Sequence, residues 1–141
     1  MGATKAFGTL VKRGDGNAPE NFTTIANAKD IEGPGIKKTF EDVTTHSSAL
    51  AGGYLQWLPT LKDGGNVKFD VLWDPTDVTH IGLQADEDGD VLRNFQCVFP
   101  TTPAKTASFA AYVEDFSFKS PVKGVITRLL SLKVSGPVTI A

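Results

Sequence analysis

The chain has 141 residues, of which 40% are hydrophobic and 21% are charged, and its formal net charge is −2 at pH 7. This length suits one domain with a sizeable core, so we predict a single domain over residues 1–141. The mild acidity argues against non-specific adhesion to nucleic acid. Because no apolar run approaches about eighteen residues, no secretory signal opens the chain and Cys97 is the only cysteine, we expect a soluble, cytosol-made protein without disulfides.

The first third of the chain alternates short strand-like segments with turns. Residues 5–12 fit either a short strand or a mobile arm, and residues 13–17 form a turn rich in Gly and Asx residues. That turn contains an Arg-Gly-Asp triplet, which turn chemistry explains without a cell-adhesion role. Strands are predicted over residues 22–30, which are rich in Thr and Ile, and over residues 36–45.

A segment from about residue 43 to residue 65 is too long for an ordinary connection between strands. It carries four large side chains in five positions, and each would contribute roughly 1.5–3 kcal/mol if buried. Either the segment folds back over its own core, or it protrudes as a loop that packs on another subunit; its length and apolar content favour the second. The residues predicted to make this contact are Val43, Thr44, Thr45, His46, Leu50, Tyr54, Leu55, Trp57, Leu58 and Leu61.

The middle of the chain contains the clearest strand and the one predicted helix. In residues 66–73, apolar and polar side chains alternate with the period of a half-buried strand. A helix is predicted over residues 75–87, with Asp74 as N-cap and Gly89 as its end. The spacing of Val78, Ile81 and Ala85 places them on one apolar face of that helix.

The last third reads as three strands followed by a tail. The strands are predicted over residues 91–99, 107–118 and 125–134, with a bulge near Glu114 and Asp115 where the apolar parity changes. Residues 135–141 form the tail. About seven strands joined by short turns predict a mainly β fold: an antiparallel β-sandwich or flattened barrel with one α-helix on the flank and a long protruding loop.

The sequence contains no arrangement typical of a catalytic, metal or cofactor site. His46, His80 and Cys97 do not form a spaced ligand set, and neither a nucleophile elbow nor a phosphate-binding loop is present. Six carboxylates between residues 74 and 90 resemble a calcium loop only faintly and fit a solvated helix end better. We therefore predict no enzyme activity and no cofactor.

Several short motifs, in this order and spacing, resemble the major tail tube proteins of long-tailed, lambda-like siphophages. The resemblance extends over nearly the whole chain. The matching pieces are Gly14-Asp15-Gly16, Phe22-Thr23-Thr24-Ile25-Ala26, Ile31-Glu32-Gly33-Pro34-Gly35-Ile36, Asp42-Val43-Thr44-Thr45-His46, Leu61-Lys62-Asp63-Gly64-Gly65, Asp74-Pro75-Thr76-Asp77, His80 with Gly82-Leu83, Phe95, Phe99-Pro100 and Ser135-Gly136-Pro137.

The resemblance implies a structural subunit without catalytic residues. Six copies close a ring, stacked rings form a hollow tube, and the long loop reaches the neighbouring ring. DNA passes through the lumen without specific binding, and the partners are other copies of the chain, a tape measure protein and tail terminator and tip proteins, with no membrane. The expected location is the virion tail, assembled in the cytoplasm of the host bacterium. The candidate lumen-facing residues are Thr39, Glu41, Lys68 and Asp70.

Two other functions remain open from the sequence. One is a tube subunit of a tail-derived device, such as a gene transfer agent, a bacteriocin or a type VI secretion tube. The other is a monomeric β-sandwich binding module, in which Tyr54 and Trp57 would form a ligand platform.

Overall fold

The computed structural model describes residues 3–45 and 52–141. The one α-helix of the described residues is not long and apolar enough to cross a membrane. The elements in chain order are β1 (Leu10–Gly14), β2 (Phe22–Thr24), β3 (Ala28–Glu32), β4 (Lys37–Asp42), β5 (Trp57–Asp63), β6 (Asn66–Leu72), α1 (Val78–Asp88), β7 (Arg93–Phe99), β8 (Lys105–Lys119), β9 (Thr127–Val134) and β10 (Thr139–Ile140).

Eight of the strands form one antiparallel sheet, and two form a separate hairpin. The order in the large sheet is β2-β1-β7-β8-β9-β6-β3, with β10 paired to β8. The smaller sheet consists of β4 and β5 alone. Within the described residues the large sheet ends at β2 on one side and β3 on the other, so it is open, as in the sandwich alternative, and the predicted mainly β fold with one helix is confirmed.

The long strand β8 joins the two halves of the sheet around one core. Its first part pairs with β7 and its second part pairs with β9, with a register shift between Val113 and Asp115. This shift is the bulge predicted from the change in apolar parity. Beyond it, Phe116 turns back to pack against the core. The fully buried aromatic residues are Phe69 and Phe95, on β6 and β7.

Helix α1 packs against this core through Leu83, which is completely buried. Its N-cap is Asp77, whose carboxylate accepts the backbone N–H of Thr79, and its C-cap is Gly89. The predicted end is therefore confirmed, whereas the predicted N-cap, Asp74, is wrong. Asp74 instead accepts the backbone N–H of Thr76 in the turn before the helix.

The face of the helix that the sequence marks as apolar is the one turned away from the core. Val78, Ile81 and Ala85 share one face of the helix, as their spacing predicts. That face is exposed, although all three residues are apolar. The residues that face the core are Thr79, His80, Leu83 and Asp86. Each of these buried polar side chains has a hydrogen-bond partner outside the helix. Thr79 and His80 contact the backbone of Ala26, between β2 and β3, whereas Asp86 is bound by arginines of β1 and β7.

Three predicted segments differ from the observed elements. The predicted tail of residues 135–141 does not leave the sheet, because it contains β10, which pairs with β8. The single strand predicted over residues 22–30 is two strands, because Asn27 adopts a φ of 62° that interrupts an extended chain. The predicted loop of residues 43–65 contains a full strand, β5, paired with β4. The protruding segment is therefore a two-stranded hairpin rather than an irregular loop.

Candidate functional site

The hairpin of β4 and β5 forms an arm, of which the structure describes residues 36–45 and 52–63, and these residues stand apart from the core. Every residue of both strands is exposed. The arm is extended beyond the strands by Val43, whose N–H donates to the carbonyl of Gln56 at 3.0 Å, and by Thr44, whose hydroxyl accepts the Gln56 N–H at 2.8 Å. Hydrogen bonds between its own two strands therefore hold this arm in shape.

The arm carries large apolar side chains on both of its faces. Phe40 and Trp57 lie on one face and line an open groove of about 410 Å³, while Leu58, opposite Glu41, points to the other face. Trp57 is 56% exposed and Leu61 is 70% exposed. A two-stranded hairpin is marginally stable in water on its own. Burial of the apolar side chains on both of its faces would stabilise this hairpin most.

The base of the arm is fixed to the large sheet by close backbone contacts. The N–H of Gly35 donates to the carbonyl of Gly64 at 3.1 Å, and the N–H of Val134 donates to the carbonyl of Gly65 at 3.0 Å. Gly64 is buried, and a Cβ atom at this position would collide with the side chain of Val134. The backbone and side chain of Val134 in β9 therefore contact the base of the arm where it joins the sheet.

Most of the residues predicted to make an intersubunit contact lie on the arm and are exposed. They are gathered at its outer part, where Tyr54 is 76% exposed. His46 and Leu50 lie outside the described residues. The exposed members of the predicted set are Val43, Thr44, Thr45, Tyr54, Leu55, Trp57, Leu58 and Leu61.

The four residues predicted to face a lumen lie in two separate sheets. Thr39 and Glu41 share one face of the arm strand β4, whereas Lys68 and Asp70 lie on the solvent-facing side of β6. On β6 the polar residues alternate with three buried ones, as the sequence predicts. The residues on the solvent-facing side of β6 are Asn66, Lys68, Asp70 and Leu72.

The polar side of β6 continues onto its neighbours as an open depression of about 440 Å³. Lys68 and Asp70 line it together with Glu114 and Asp115 from the bulge of β8. Its charged lining thus contains three carboxylates and one ammonium group. This surface has the mixed, net acidic character expected of the predicted lumen.

A buried ion-pair cluster that the sequence did not reveal joins the helix to the sheet. The side chain of Asp86 is 1% exposed and is bound by Arg13 at 2.5 and 2.8 Å and by Arg93 at 3.0 Å. The hydrogen bond to Asp86 raises the pKa of Arg13 above its usual value. Asp86 was predicted to belong to a solvated acidic helix end, which is wrong for this residue.

The two other groups considered for chemistry have structural surroundings. The Nε2–H of His80 donates to the carbonyl of Ala26 at 2.7 Å, and its Nδ1 accepts the Asp74 N–H at 3.1 Å. Cys97 is buried, and desolvation raises the pKa of its thiol to about 11. Within residues 3–45 and 52–141, no group of three His, Cys, Asp or Glu residues is placed to hold a metal ion.

Comparison with known proteins finds likeness in structure but not in sequence. No family model matches the chain, and no curated protein matches its sequence significantly. A chain from the tail of an empty gene transfer agent particle, refined with C6 symmetry, has a TM-score of 0.76 at 17% identity, with 99% of each chain covered.

Two further solved structures share this fold. A chain from the baseplate of the anti-feeding prophage has a TM-score of 0.74 at 12% identity, covering 99% of this chain and 97% of that chain. The SPP1 tail tube protein has a TM-score of 0.68 at 12% identity, covering 94% of this chain and 75% of that chain. These likenesses confirm the resemblance at the level of the fold: the chain has the fold of tail tube subunits.

Proposed function

We propose that this protein is the structural subunit of a tail tube, in which six copies close a ring and stacked rings form a hollow conduit for DNA delivery into a host. The observation that carries the proposal is the arm, which exposes apolar side chains on both faces of a hairpin that has no core of its own. Such an element gains its stability from another subunit.

The open edges of the large sheet support the same proposal. Strands β2 and β3 end the sheet in the described residues, and unpaired strand edges invite pairing with another chain. Repeated edge contacts of one kind between identical subunits are heterologous, and they close into a ring at the right rotation. The sheet therefore supplies contacts within a ring while the arm is left to join successive rings.

The polar face with Lys68 and Asp70 is the proposed lining of the lumen. Its net acidic character suits a conduit for DNA, because a basic lining would bind the phosphates and retain the passing molecule. Thr39 and Glu41 join this lining if their face of the arm continues the surface of the lumen towards the next ring. The proposed role is structural, requires no cofactor and involves no catalysis.

The proposed partners follow from the same role. They are further copies of this chain along the tube, a tape measure protein inside it, and terminator and tip proteins at its ends. The tube would belong to a virion tail and be assembled in the cytoplasm of the host bacterium. The fold occurs in the tail of a gene transfer agent, the baseplate of the anti-feeding prophage and the SPP1 tail tube, so a tail-derived device is the alternative setting for the subunit.

Negative-stain electron microscopy of the purified protein, with light scattering on the same sample, tests the proposal. We expect rings or tubes with a central hole, formed by the protein alone or after addition of tail-tip components that start assembly. A protein that remains a monomer at high concentration under both conditions would contradict the tube. The groove between Phe40 and Trp57 would then be examined as a ligand site of a binding module.

A further inference from the structure

We propose that the arm of one subunit docks on an apolar patch at the opposite end of the large sheet of a subunit in the adjacent ring. We call this surface the end patch. The inference rests on the proposed tube and adds the receiving surface for the arm. The exposed apolar residues of the end patch are Phe118, Val122, Val125 and Ile126.

The strand pairing places the arm and the end patch at opposite ends of the molecule. β6 begins at Asn66, directly after the base of the arm, and ends at Leu72, which pairs with Thr127 at the start of β9. Ile126, whose carbonyl accepts the Trp73 N–H at 3.1 Å, lies at this far end. The seven residues of β6 separate the two ends by about 20 Å.

The end patch includes a cluster of packed aromatic rings. The rings of Trp73 and Phe118 meet edge to face with centroids 5.1 Å apart, and the guanidinium of Arg128 lies 4.1 Å from the centroid of Phe118 and 3.3 Å from that of Phe116. Phe118 is itself 54% exposed, and Val125, in the segment that follows β8, is 60% exposed. Ordered aromatic rings with an open apolar surface are typical of a docking site, because little side-chain entropy remains to be lost on binding.

One face of the arm matches the end patch in hydrophobicity. Phe40 and Trp57 lie on the same face, at diagonal positions of neighbouring strand pairs, and the groove between them is open. A side chain from the end patch, such as Val122 or Val125, can enter this groove. The opposite face, with Thr39, Glu41 and Leu58, takes no part in this contact.

The charges at the two surfaces are also complementary. Asp42 lies on the Phe40 and Trp57 face of the arm, since it pairs with Trp57, and its Oδ1 accepts the Thr44 N–H at 2.9 Å. Lys119 is exposed at the end of β8, and Lys123 is exposed within the turn that follows. Two acids, Asp74 and Asp77, follow Trp73 in the chain, and hydrogen bonds from Thr76 and Thr79 already engage their carboxylates.

Arg128, which is 6% exposed, lies beneath Phe118 of the end patch. Its two terminal nitrogens donate to Gln84 at 2.9 Å and to the carbonyl of Phe116 at 3.2 Å, whereas its Nε is buried without a hydrogen-bond partner in the structure. Opposite charges at the rim of an apolar contact fix its orientation more than its strength. Asp42 beside Lys119 or Lys123 would fix the register of the arm.

Docking of an arm on the far end of the next molecule is a head-to-tail contact. Such a contact does not close on itself along the tube axis, so it extends into a stack, which is what a tube needs. A single contact of this small size binds weakly. Six of them between two rings act together, since each contact raises the effective concentration of the others.

Site-directed disulfide cross-linking tests the docking. One variant combines Trp57→Cys on the arm with Val125→Cys on the end patch, and a matched control combines Trp57→Cys with Lys133→Cys, an exposed position at the arm end of β9. Cys97 stays in place because it is buried. We expect oxidation of the first variant to give a ladder of dimers and longer chains, and the control to stay monomeric on a non-reducing gel.

A charge reversal supplies an independent measure. Asp42→Lys should reduce the cross-linked fraction of the first variant severalfold, and Lys119→Glu with Lys123→Glu should restore it. All the substituted positions are exposed, so unfolding midpoints close to that of the parent show that folding is intact.

The outcomes separate this inference from the proposed function. If the parent protein forms tubes while the first variant gives no more ladder than the control, the docking is overturned and the proposed tube is retained. A ladder from the first variant, when the parent protein forms no ring, would support the docking and overturn the hexameric tube. Absence of both ladder and assembly would contradict both proposals.

Discussion

Asp86 shows at the residue scale how context decides the role of a charged group. It sits in a run of acids that also contains Glu87, Asp88 and Asp90, and only Asp86 turns inward. Two arginines from β1 and β7 surround its carboxylate, so three elements distant in sequence meet at one ion-pair cluster. A run of acids indicates a solvated surface, and nothing in the run itself distinguishes the member that is paired.

Removal of Asp86 should destabilise the fold strongly. Asp86→Ala leaves the guanidinium groups of Arg13 and Arg93 without a carboxylate in a half-buried site, and we expect a loss of about 3 kcal/mol in the free energy of unfolding. Urea denaturation measures this loss. The matched control is Asp88→Ala, which removes an exposed aspartate two residues further on, and for which we expect a much smaller change. Equal losses for the two variants would show that the cluster does not stabilise the fold.

At the scale of elements, the start of the helix depends on which of two aspartates caps it. Asp74 and Asp77 both precede a helical pattern, and Pro75 after Asp74 is a strong signal for a first helical residue. The structure uses Asp77, whose pKa is lowered chiefly by the hydrogen bond from the Thr79 side chain. The Asp-Pro-Thr-Asp segment is instead a hydrogen-bonded turn that leads from β6 into the helix.

The cap assignment predicts unequal effects for the two aspartates. Asp77→Ala should lower the free energy of unfolding by about 1 kcal/mol, because the first N–H groups of the helix lose their acceptor. Asp74→Ala should cost less, since it removes hydrogen bonds only within the preceding turn. Thermal unfolding followed by circular dichroism compares the two. A larger loss for Asp74→Ala would reverse the assignment.

The elements that the sequence predicts well are those whose pattern is local. The alternation in β6 and the parity change in β8 appear directly in the order of residues, and both are observed. The second strand of the arm was missed because its side chains are apolar on both faces and Pro59 lies within it. Such a strand has no buried side to impose a period of two, so only its pairing with β4 reveals it.

The candidate site was predictable in its location but not in its form. Unusual length and apolar content singled out the arm, since both are visible in the sequence alone. The end patch is formed by residues 118–126, with Trp73 packed against Phe118, and only the sheet register brings these two segments together. A surface assembled from two segments distant in sequence carries no pattern that a single sequence can show.

At the scale of the whole molecule, the charge of the large sheet's polar face decides what a tube could conduct. Three carboxylates and one ammonium group line the depression around β6 and the bulge of β8. In the proposed tube, this lining would repeat in every subunit and repel the phosphates of DNA, so that the DNA would pass without being held. The arm and the end patch can vary without changing this property, since they lie outside the depression.

Reversal of that charge should therefore convert a passive conduit into one that retains DNA. Asp70→Lys with Glu114→Lys makes the charged lining of the depression predominantly positive, while Asp88→Lys with Asp90→Lys makes the same change in net charge at the exposed helix end. We expect tubes of the first variant to co-sediment with short duplex DNA at low salt and to release it at high salt, because phosphate contacts weaken steeply as salt rises. Tubes of the parent and of the control should not retain DNA at either salt concentration. If the two variants retained DNA equally, the polar face would lie outside the lumen, and the lining would have to come from another surface of the subunit.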